Sequence, residues 1–293
     1  MKKYYGEIGL IIVTILWGFG FVGVQYALDG GLTPLQTVTL RFFIGTIVFA
    51  CLSYKKIKGN FDKRSLKSGI ILGILLFFAF SFQTIGQSLT TASKNAFITA
   101  TNVVIVPFLG YIFYKRKLDF IGISCSILAL IGIAILSLEA DFSVNFGDIL
   151  VLMCAFGFAG QIFFTSEFVK YSNLPVMITI EFATACVLSF ITQIIFGETS
   201  INITHKGWFG LLYISLISTV LCYFLQTVCQ KIVDSTRAAI ILSLEAVFGT
   251  IFAIFILGEP LTLRLLIGST IILFSVISAE TKLSFLKIKK SKG

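Results

Sequence analysis

Three ionisable side chains lie deep inside long apolar stretches of the chain: Arg41, Glu181 and Glu245. An acidic residue at the centre of a membrane-spanning helix costs roughly 2.5 to 3.5 kcal/mol on translocon scales. Glu245, about ten residues into its apolar stretch, should therefore face a bundle interior and be either protonated or paired. Such a carboxyl can carry a proton or bind an amine substrate. The alternative is a structural Glu that hydrogen-bonds backbone groups freed elsewhere in the bundle.

Arg41 and Glu181 occupy matching sequence contexts, in segments 39–42 (TLRF) and 179–182 (TIEF). At 1.5 Å per residue, each lies roughly 12 Å from its own membrane surface, which leaves about 6 Å of depth between them. A long Arg side chain can bridge that depth. The two residues are therefore candidates for an ion pair that holds the protein together, or Arg41 binds a substrate carboxylate.

Amide side chains form a second group of candidates. Segment 83–87 (QTIGQ) returns as 226–230 (QTVCQ), and each places two glutamines four residues apart on one helical face. Gln83 and Gln226 can hydrogen-bond a polar substrate, or they join neighbouring helices, which is common in membranes. Gln161, in another apolar stretch, has the same two interpretations.

Trp17 lies in the middle of an apolar stretch, although Trp is usually enriched at membrane surfaces. Its ring can stack on an organic cation. Phe158 holds the matching place in the second half of the chain, and Tyr223 is a further aromatic candidate. Together these residues predict an aromatic-lined pocket, with ordinary packing of the rings as the alternative.

Composition excludes several classes of protein. The chain of 293 residues is 57% apolar and 13% charged, with mean hydropathy +0.98, whereas a soluble protein is about a quarter charged. The net charge of +9 comes from basic residues at helix ends, so nucleic-acid binding is not expected. Six cysteines without a C-x-x-C pair and a single histidine, His205, predict no disulfide framework, metal site or cofactor.

The apolar stretches predict an all-α membrane protein of ten transmembrane helices. A spanning helix needs roughly 20 mostly apolar residues, and short polar connections separate the ten candidates. Pro107, inside the fourth span, is expected to kink it. The predicted spans are 7–28, 33–53, 66–88, 92–114, 119–137, 147–168, 174–196, 207–230, 235–257 and 261–280.

Lysine and arginine residues predict the orientation of these helices, because they accumulate on the cytoplasmic side. Of the 23 such residues, 19 fall on one side of the predicted membrane and three on the other, with Arg41 inside a span. Both termini are therefore predicted to be cytoplasmic, in a multi-pass protein of the plasma membrane. The lysine-rich segment 282–293 is predicted to be a basic cytoplasmic tail.

The chain repeats itself, which predicts two related domains at 1–143 and 144–281. Gly6 corresponds to Gly147, and Asn102 corresponds to Glu245. Because each half holds five spans, an odd number, the second half should enter the membrane inverted. Inverted repeats usually place a substrate site at their interface near the midplane. Asn102 and Glu245 are accordingly predicted to form two walls of one such site.

Five segments resemble the EamA branch of the drug/metabolite transporter superfamily, and the two around Glu245 and Glu259 are the most specific. The resemblance implies ten helices, a central cavity between the halves, and transport of small metabolites such as amino acids or amines, frequently outward. Two features depart from the family pattern: Ala246 stands where Pro is common, and segment 114–117 (YKRK) lacks the acid of its second-half counterpart. The segments are 16–18 (LWG), 40–42 (LRF), 223–226 (YFLQ), 243–248 (SLEAVF) and 257–262 (LGEPLT).

These features predict a secondary transporter that moves an amino acid, amine or related polar metabolite across the bilayer by alternating access. The predicted direction is export, with a proton as the candidate coupling ion. An uncoupled uniporter or exchanger is the alternative within transport, and a membrane scaffold is the alternative outside it. No glycine-rich ATP-binding loop occurs in the sequence. An enzyme is not expected, because the spans contain neither a nucleophile–base pair nor an HExxH motif.

Overall fold

The fold is that of a computed structural model, which describes residues 2–115, 120–137, 145–197, 200–233, 238 and 241–281. Within these ranges the chain forms ten helical segments and no strand, which confirms the all-α prediction for this part of the protein. The segments are α1 Lys2–Asp29, α2 Pro34–Ile57, α3 Lys63–Gln87, α4 Ala92–Tyr114, α5 Phe120–Ser137, α6 Phe146–Phe168, α7 Leu174–Ile195, α8 His205–Gln230, α9 Ile241–Leu257 and α10 Leu263–Thr281.

Seven of these helices are long and apolar enough to cross a membrane, judged by length and composition: α1 to α4 and α6 to α8. The apolar parts of α5, α9 and α10 are shorter. The chain is thus a multi-pass membrane protein, whereas ten crossings and cytoplasmic termini stay predictions. The predicted basic tail at 282–293 lies outside the described residues, as does the start of the predicted span 235–257.

Side chains fix the starts of α2 and α3 by binding backbone N–H groups of the first helical turn. Thr33 and Gln36 bind each other's backbone in a reciprocal capping box, and Pro34 takes the first helical position. At α3, the Asp62 carboxylate accepts hydrogen bonds from the backbone N–H of Arg64 and from the backbone N–H and hydroxyl of Ser65. These bonds, led by the Ser65 hydroxyl, hold the pKa of Asp62 below its ordinary value.

Corresponding positions of the two halves make corresponding contacts. Gly6, near the start of α1, contacts the end of α8, since a Cβ on it would lie 3.7 Å from the carbonyl oxygen of Cys229. Gly147, near the start of α6, approaches α3 more closely, with a Cβ there 2.8 Å from the carbonyl oxygen of Gly86. Gly6 pairs with Gly147 in the sequence repeat and Gly86 pairs with Cys229. Each contact is therefore converted into the other when the halves are exchanged.

Hydrogen bonds of the glutamine segments follow the same repeat. Gln87 Nε2 of α3 donates to the carbonyl oxygen of Phe21 at 2.8 Å, and Gln230 Nε2 of α8 donates to that of Ile162 at 3.5 Å. Phe21 and Ile162 are separated by the same number of residues as Gly6 and Gly147. For Gln87 and Gln230 this geometry favours the joining of helices over contact with a substrate.

Two carboxylates of the second half hold the start of α4. Glu259, in the turn before α10, accepts hydrogen bonds from the first two backbone N–H groups of α4 at 2.7 and 3.1 Å. Asp148 of α6 accepts from the Thr90 hydroxyl at 2.5 Å and forms an ion pair with Lys94 at 3.4 Å. Glu259 thus caps α4, where its negative charge stabilises the helix N-terminus.

Candidate functional site

A cavity of about 540 Å³, counting the space at its open mouth, lies among seven helices drawn from both halves of the chain. Its wall combines aromatic rings with a few polar side chains, which is typical of small-molecule sites. Gln226, the eighth predicted substrate-binding residue, does not form part of this wall. The other seven line the cavity: Trp17, Arg41, Gln83, Asn102, Gln161, Tyr223 and Glu245.

Asn102 and Glu245 each begin the second segment of an interrupted helix. α4 is interrupted at Thr101 and α9 at Leu244, and these two residues share nearly the same backbone angles, φ −66°, ψ −10° and φ −64°, ψ −14°. Transporters with inverted repeats use such interrupted helices to place half-helix ends at the substrate. Pro107, predicted to kink α4, lies inside the second segment rather than at the interruption.

Asn102 and Glu245 carry oxygen atoms for which the described residues provide no hydrogen-bond donor. The Glu245 side chain is 8% exposed and, within the described part of the chain, forms neither a hydrogen bond nor an ion pair. The buried Asn102 Oδ1 also lacks a partner there. A buried polar atom without a partner costs about 1 to 3 kcal/mol. A ligand with several N–H groups, such as an ammonium, would satisfy both residues.

The Arg41 guanidinium forms the cationic part of the wall and is 3% exposed. Its Nε donates to Thr219 Oγ1 at 2.6 Å, and its Nη2 donates to Ser218 Oγ at 2.9 Å. Its Cζ lies 3.9 Å from the centre of the Phe80 ring, a cation–π contact. Because hydroxyl groups and an aromatic ring orient the guanidinium without neutralising it, its charge is available to an anionic group of a ligand.

Trp17 and Tyr223 form an aromatic part of the wall, with ring centres 5.2 Å apart. Trp17 Nε1 donates to the carbonyl oxygen of Ser218 at 2.8 Å. This carbonyl belongs to a π-helical segment of α8, Tyr213–Leu221, a distortion that is frequent at functional sites. Since the indole N–H already has a partner, Trp17 offers its ring face to a ligand. Phe158, its repeat counterpart, also lines the cavity.

Gln161 connects the cavity with Glu181 behind the wall. Its Nε2 donates to Glu181 Oε1 at 3.0 Å, and its Oε1 accepts a hydrogen bond from Gln226 Nε2 at 3.4 Å. Among the described residues, Gln226 thus contacts the site through Gln161. Gln83, on the neighbouring helix α3, donates to the Thr99 hydroxyl at 3.3 Å.

Arg41 and Glu181 do not form the ion pair considered from the sequence. Among the described residues, Arg41 binds two hydroxyl groups of α8, and Glu181 binds the Gln161 amide. Arg41 lines the cavity, whereas Glu181 is 1% exposed and lies outside its wall. α2 and α7 do pack together, but the two side chains point towards different neighbouring helices.

Sequence reasoning missed the three residues that contact the Arg41 guanidinium: Phe80, Ser218 and Thr219. The hydroxyl residues Ser215, Ser218 and Thr219 lie within a short stretch of an otherwise apolar segment, and this polar cluster is the signal that identifies them. Phe80 carries no comparable signal, because it is one of 31 phenylalanines. Among the described residues, no group of three or more His, Cys, Asp or Glu side chains could hold a metal ion.

A bundle of membrane-crossing helices around a cavity with a few polar groups in its wall, to which both halves of the chain contribute, is the architecture of a membrane transport protein. The chain belongs to the EamA-like transporter family, whose model matches it twice, at residues 4–138 and 145–279. The family resemblance found in the sequence is thereby confirmed. Members of this family are transporters, so the protein is a transporter and not an enzyme.

Relatives agree with this assignment, and a solved structure shares the fold. An uncharacterized transporter of Archaeoglobus fulgidus is 35% identical over 277 residues, which cover 94% of this chain and 86% of the relative. A probable amino-acid metabolite efflux pump of Salmonella typhimurium is 23% identical, with 93% of each chain covered. A crystal structure with 14% identity has the same fold, with a TM-score of 0.69 over 99% of both chains.

Proposed function

We propose that the protein is a secondary transporter that carries a small zwitterionic metabolite, such as an amino acid, across the plasma membrane by alternating access. One observation carries the proposal: Arg41 and Glu245 have opposite charges and line the same cavity, yet among the described residues no ion pair joins them. A zwitterion can place its carboxylate at Arg41 and its ammonium at Glu245 and the Asn102 oxygen. A simple amine would leave Arg41 without an anionic partner.

The proposed architecture is a pair of inverted five-helix domains, 1–143 and 144–281, with ten crossings and both termini in the cytoplasm. Gly6 contacts α8 and Gly147 contacts α3, and the two contacts occupy corresponding positions of the sequence repeat. This correspondence supports the arrangement. The paired interruptions of α4 and α9 support it as well. In such a protein, an exchange of the conformations of the two halves opens one cavity alternately to each side.

We further propose that the net movement is export. The name of the Salmonella relative, an amino-acid metabolite efflux pump, supports this direction and this class of substrate. The absence of an ATP-binding loop from the sequence supports a driving force taken from an ion or substrate gradient. Counterflow of labelled L-leucine into proteoliposomes, with and without a pH gradient, distinguishes a coupled carrier from an uncoupled exchanger.

The substrate assignment is tested by removing one charged group of the ligand at a time. We expect L-leucine to raise the melting temperature of the purified protein more than N-acetyl-L-leucine, which lacks the ammonium, or L-leucinamide, which lacks the carboxylate. The phenylalanine and threonine series serve as parallel probes of the side chain.

One substitution at each charged residue of the site tests the two charges independently. Arg41→Gln should abolish the advantage of the amino acid over its amide, and Glu245→Gln should abolish its advantage over the N-acetyl compound. Equal stabilisation of the wild-type protein by all three members of every series would contradict the proposal.

A further inference from the structure

The buried interior holds more acidic than basic side chains. Among the described residues, the buried charged side chains are those of Arg41, Asp148, Glu181 and Glu245. Asp148 is paired with Lys94 at the start of its helix. Arg41 is always charged, and it lines the substrate cavity together with Glu245, where the proposed zwitterion supplies a counter-charge to each. Glu181 is left without a cation of its own.

Among the residues that the structure describes, the helices packed around Glu181 provide one hydrogen-bond donor and no ion-pair partner. α6 contributes the neutral Gln161 amide, 3.0 Å from Glu181 Oε1. α2 contributes Arg41, whose Nε and Nη2 bind hydroxyl groups of α8. α8 contributes Tyr223, whose ring centre lies 5.9 Å from that of Phe182, the residue after Glu181.

α3 contributes only small and apolar groups near Glu181. A Cβ on Gly73 would lie 2.5 Å from the backbone oxygen of Glu181, so this glycine marks where α3 and α7 touch. The charged residues of α3 are confined to its first turns: Lys63, Arg64 and Lys67. Lys67 is six residues before Gly73, or roughly 9 Å along the helix axis.

An ionised Glu181 would be poorly stabilised in these surroundings. Burial of a carboxylate without a cation costs several kcal/mol even after relaxation of the protein, and a single neutral amide offsets a small part of that cost. The neutral acid avoids the penalty, and its carbonyl oxygen still accepts the hydrogen bond from Gln161. The surroundings therefore favour a carboxyl group that holds a proton.

We propose that Glu181 is a proton-binding site of this transporter, separate from the substrate cavity and connected with it through Gln161. This inference rests on the proposed transport function and deepens it by locating the coupling ion. Gln161 lines the cavity and binds Glu181 at once, so a movement of α6 that accompanies substrate binding changes the surroundings of the carboxyl. The carboxylic acid then loses its proton to water on one side, and the carboxylate takes up another from the opposite side.

Infrared spectroscopy of the full chain in lipid nanodiscs tests proton occupancy without any substrate. At neutral pH, the wild-type spectrum should contain the C=O stretching band of a buried, protonated carboxyl, and Glu181→Gln should remove a component of it. Glu167→Gln is the matched control, because Glu167 is a carboxyl of α6 that forms an exposed pair with Lys170 at 2.7 Å. A band that Glu181→Gln leaves unchanged would overturn the proposal.

Transport by the same variants tests whether the proton is coupled. Glu181→Gln retains an oxygen that can accept from Gln161, so L-leucine counterflow should persist while accumulation driven by a pH gradient is lost. Glu181→Asp, which keeps a carboxyl, should retain part of that accumulation. Full gradient-driven accumulation by Glu181→Gln, or a loss of counterflow together with a lowered melting temperature, would overturn the proton site. Absence of counterflow in the wild-type protein refutes the proposed function instead, and the infrared band then decides the proton site alone.

Discussion

Replacement of Glu245 by Gln should weaken amino-acid binding without lowering the stability of the protein. The two side chains have nearly the same size, so the change removes a charge while the cavity keeps its shape. A hydrogen bond to a charged group contributes about 1.5 to 3 kcal/mol. Since about 1.4 kcal/mol corresponds to a tenfold change in affinity, the Kd for L-leucine should rise roughly 10- to 150-fold.

Stability should respond differently, because the Glu245 carboxylate has no partner among the described residues. Its replacement removes no hydrogen bond of the empty protein, so the melting temperature should be unchanged or higher. Titration calorimetry in nanodiscs measures the affinity, and a thermal melt without ligand measures the stability. Glu167→Gln is the control for both. An unchanged Kd, or a melting temperature that falls together with the affinity, would refute the reasoning.

Three further predictions concern packing, the aromatic wall and pH. Gly30→Ala places a Cβ 2.3 Å from the Cα of Gly207, so it should destabilise the contact of α1 with α8 by about 1 to 3 kcal/mol. Gly45→Ala is the control, because its Cβ has no neighbour nearer than 3.4 Å. Equal melting temperatures of the two variants would contradict the close approach. Trp17→Phe leaves the Ser218 carbonyl without its side-chain donor and should lower the free energy of unfolding by about 1 kcal/mol. It should also weaken L-leucine binding. A variant that binds L-leucine with wild-type affinity would show that Trp17 is not part of the site. The pKa of Asp62 is lowered in the folded protein. The contribution of Asp62 to stability is therefore present above about pH 4 and is lost as the pH falls through its pKa in the folded protein. Asp62→Ala should remove that part of the acid sensitivity, measured as melting temperature against pH.

The helices could be predicted from the sequence because long apolar stretches and cap residues are local signals. The predicted spans 33–53 and 66–88 match α2 and α3 within a few residues. Polar residues inside such stretches were equally visible, and five of them line one cavity together with the aromatic candidates Trp17 and Tyr223. Their scarcity in an apolar segment made them candidates before their neighbours were known.

The interruptions of α4 and α9 could not be predicted from the sequence. Neither Thr101 nor Leu244 is a Gly or Pro, and both keep angles close to the helical region, so tertiary contacts must determine where these helices are interrupted. The partners of Arg41 were unpredictable for a related reason. A helix that is apolar on all sides has no periodicity that fixes its rotation, and that rotation directs Arg41 towards Ser218 and Thr219.

The central claim is that one cavity between the two halves is reached from each side of the membrane in turn. The most direct test is the labelling of an Asn102→Cys variant, in a chain whose six native cysteines are replaced, with a membrane-impermeant thiol reagent in sealed vesicles. Alternating access predicts reaction from both sides, with L-leucine slowing each reaction. Labelling from a single side under all conditions, or labelling that L-leucine does not affect, would contradict it.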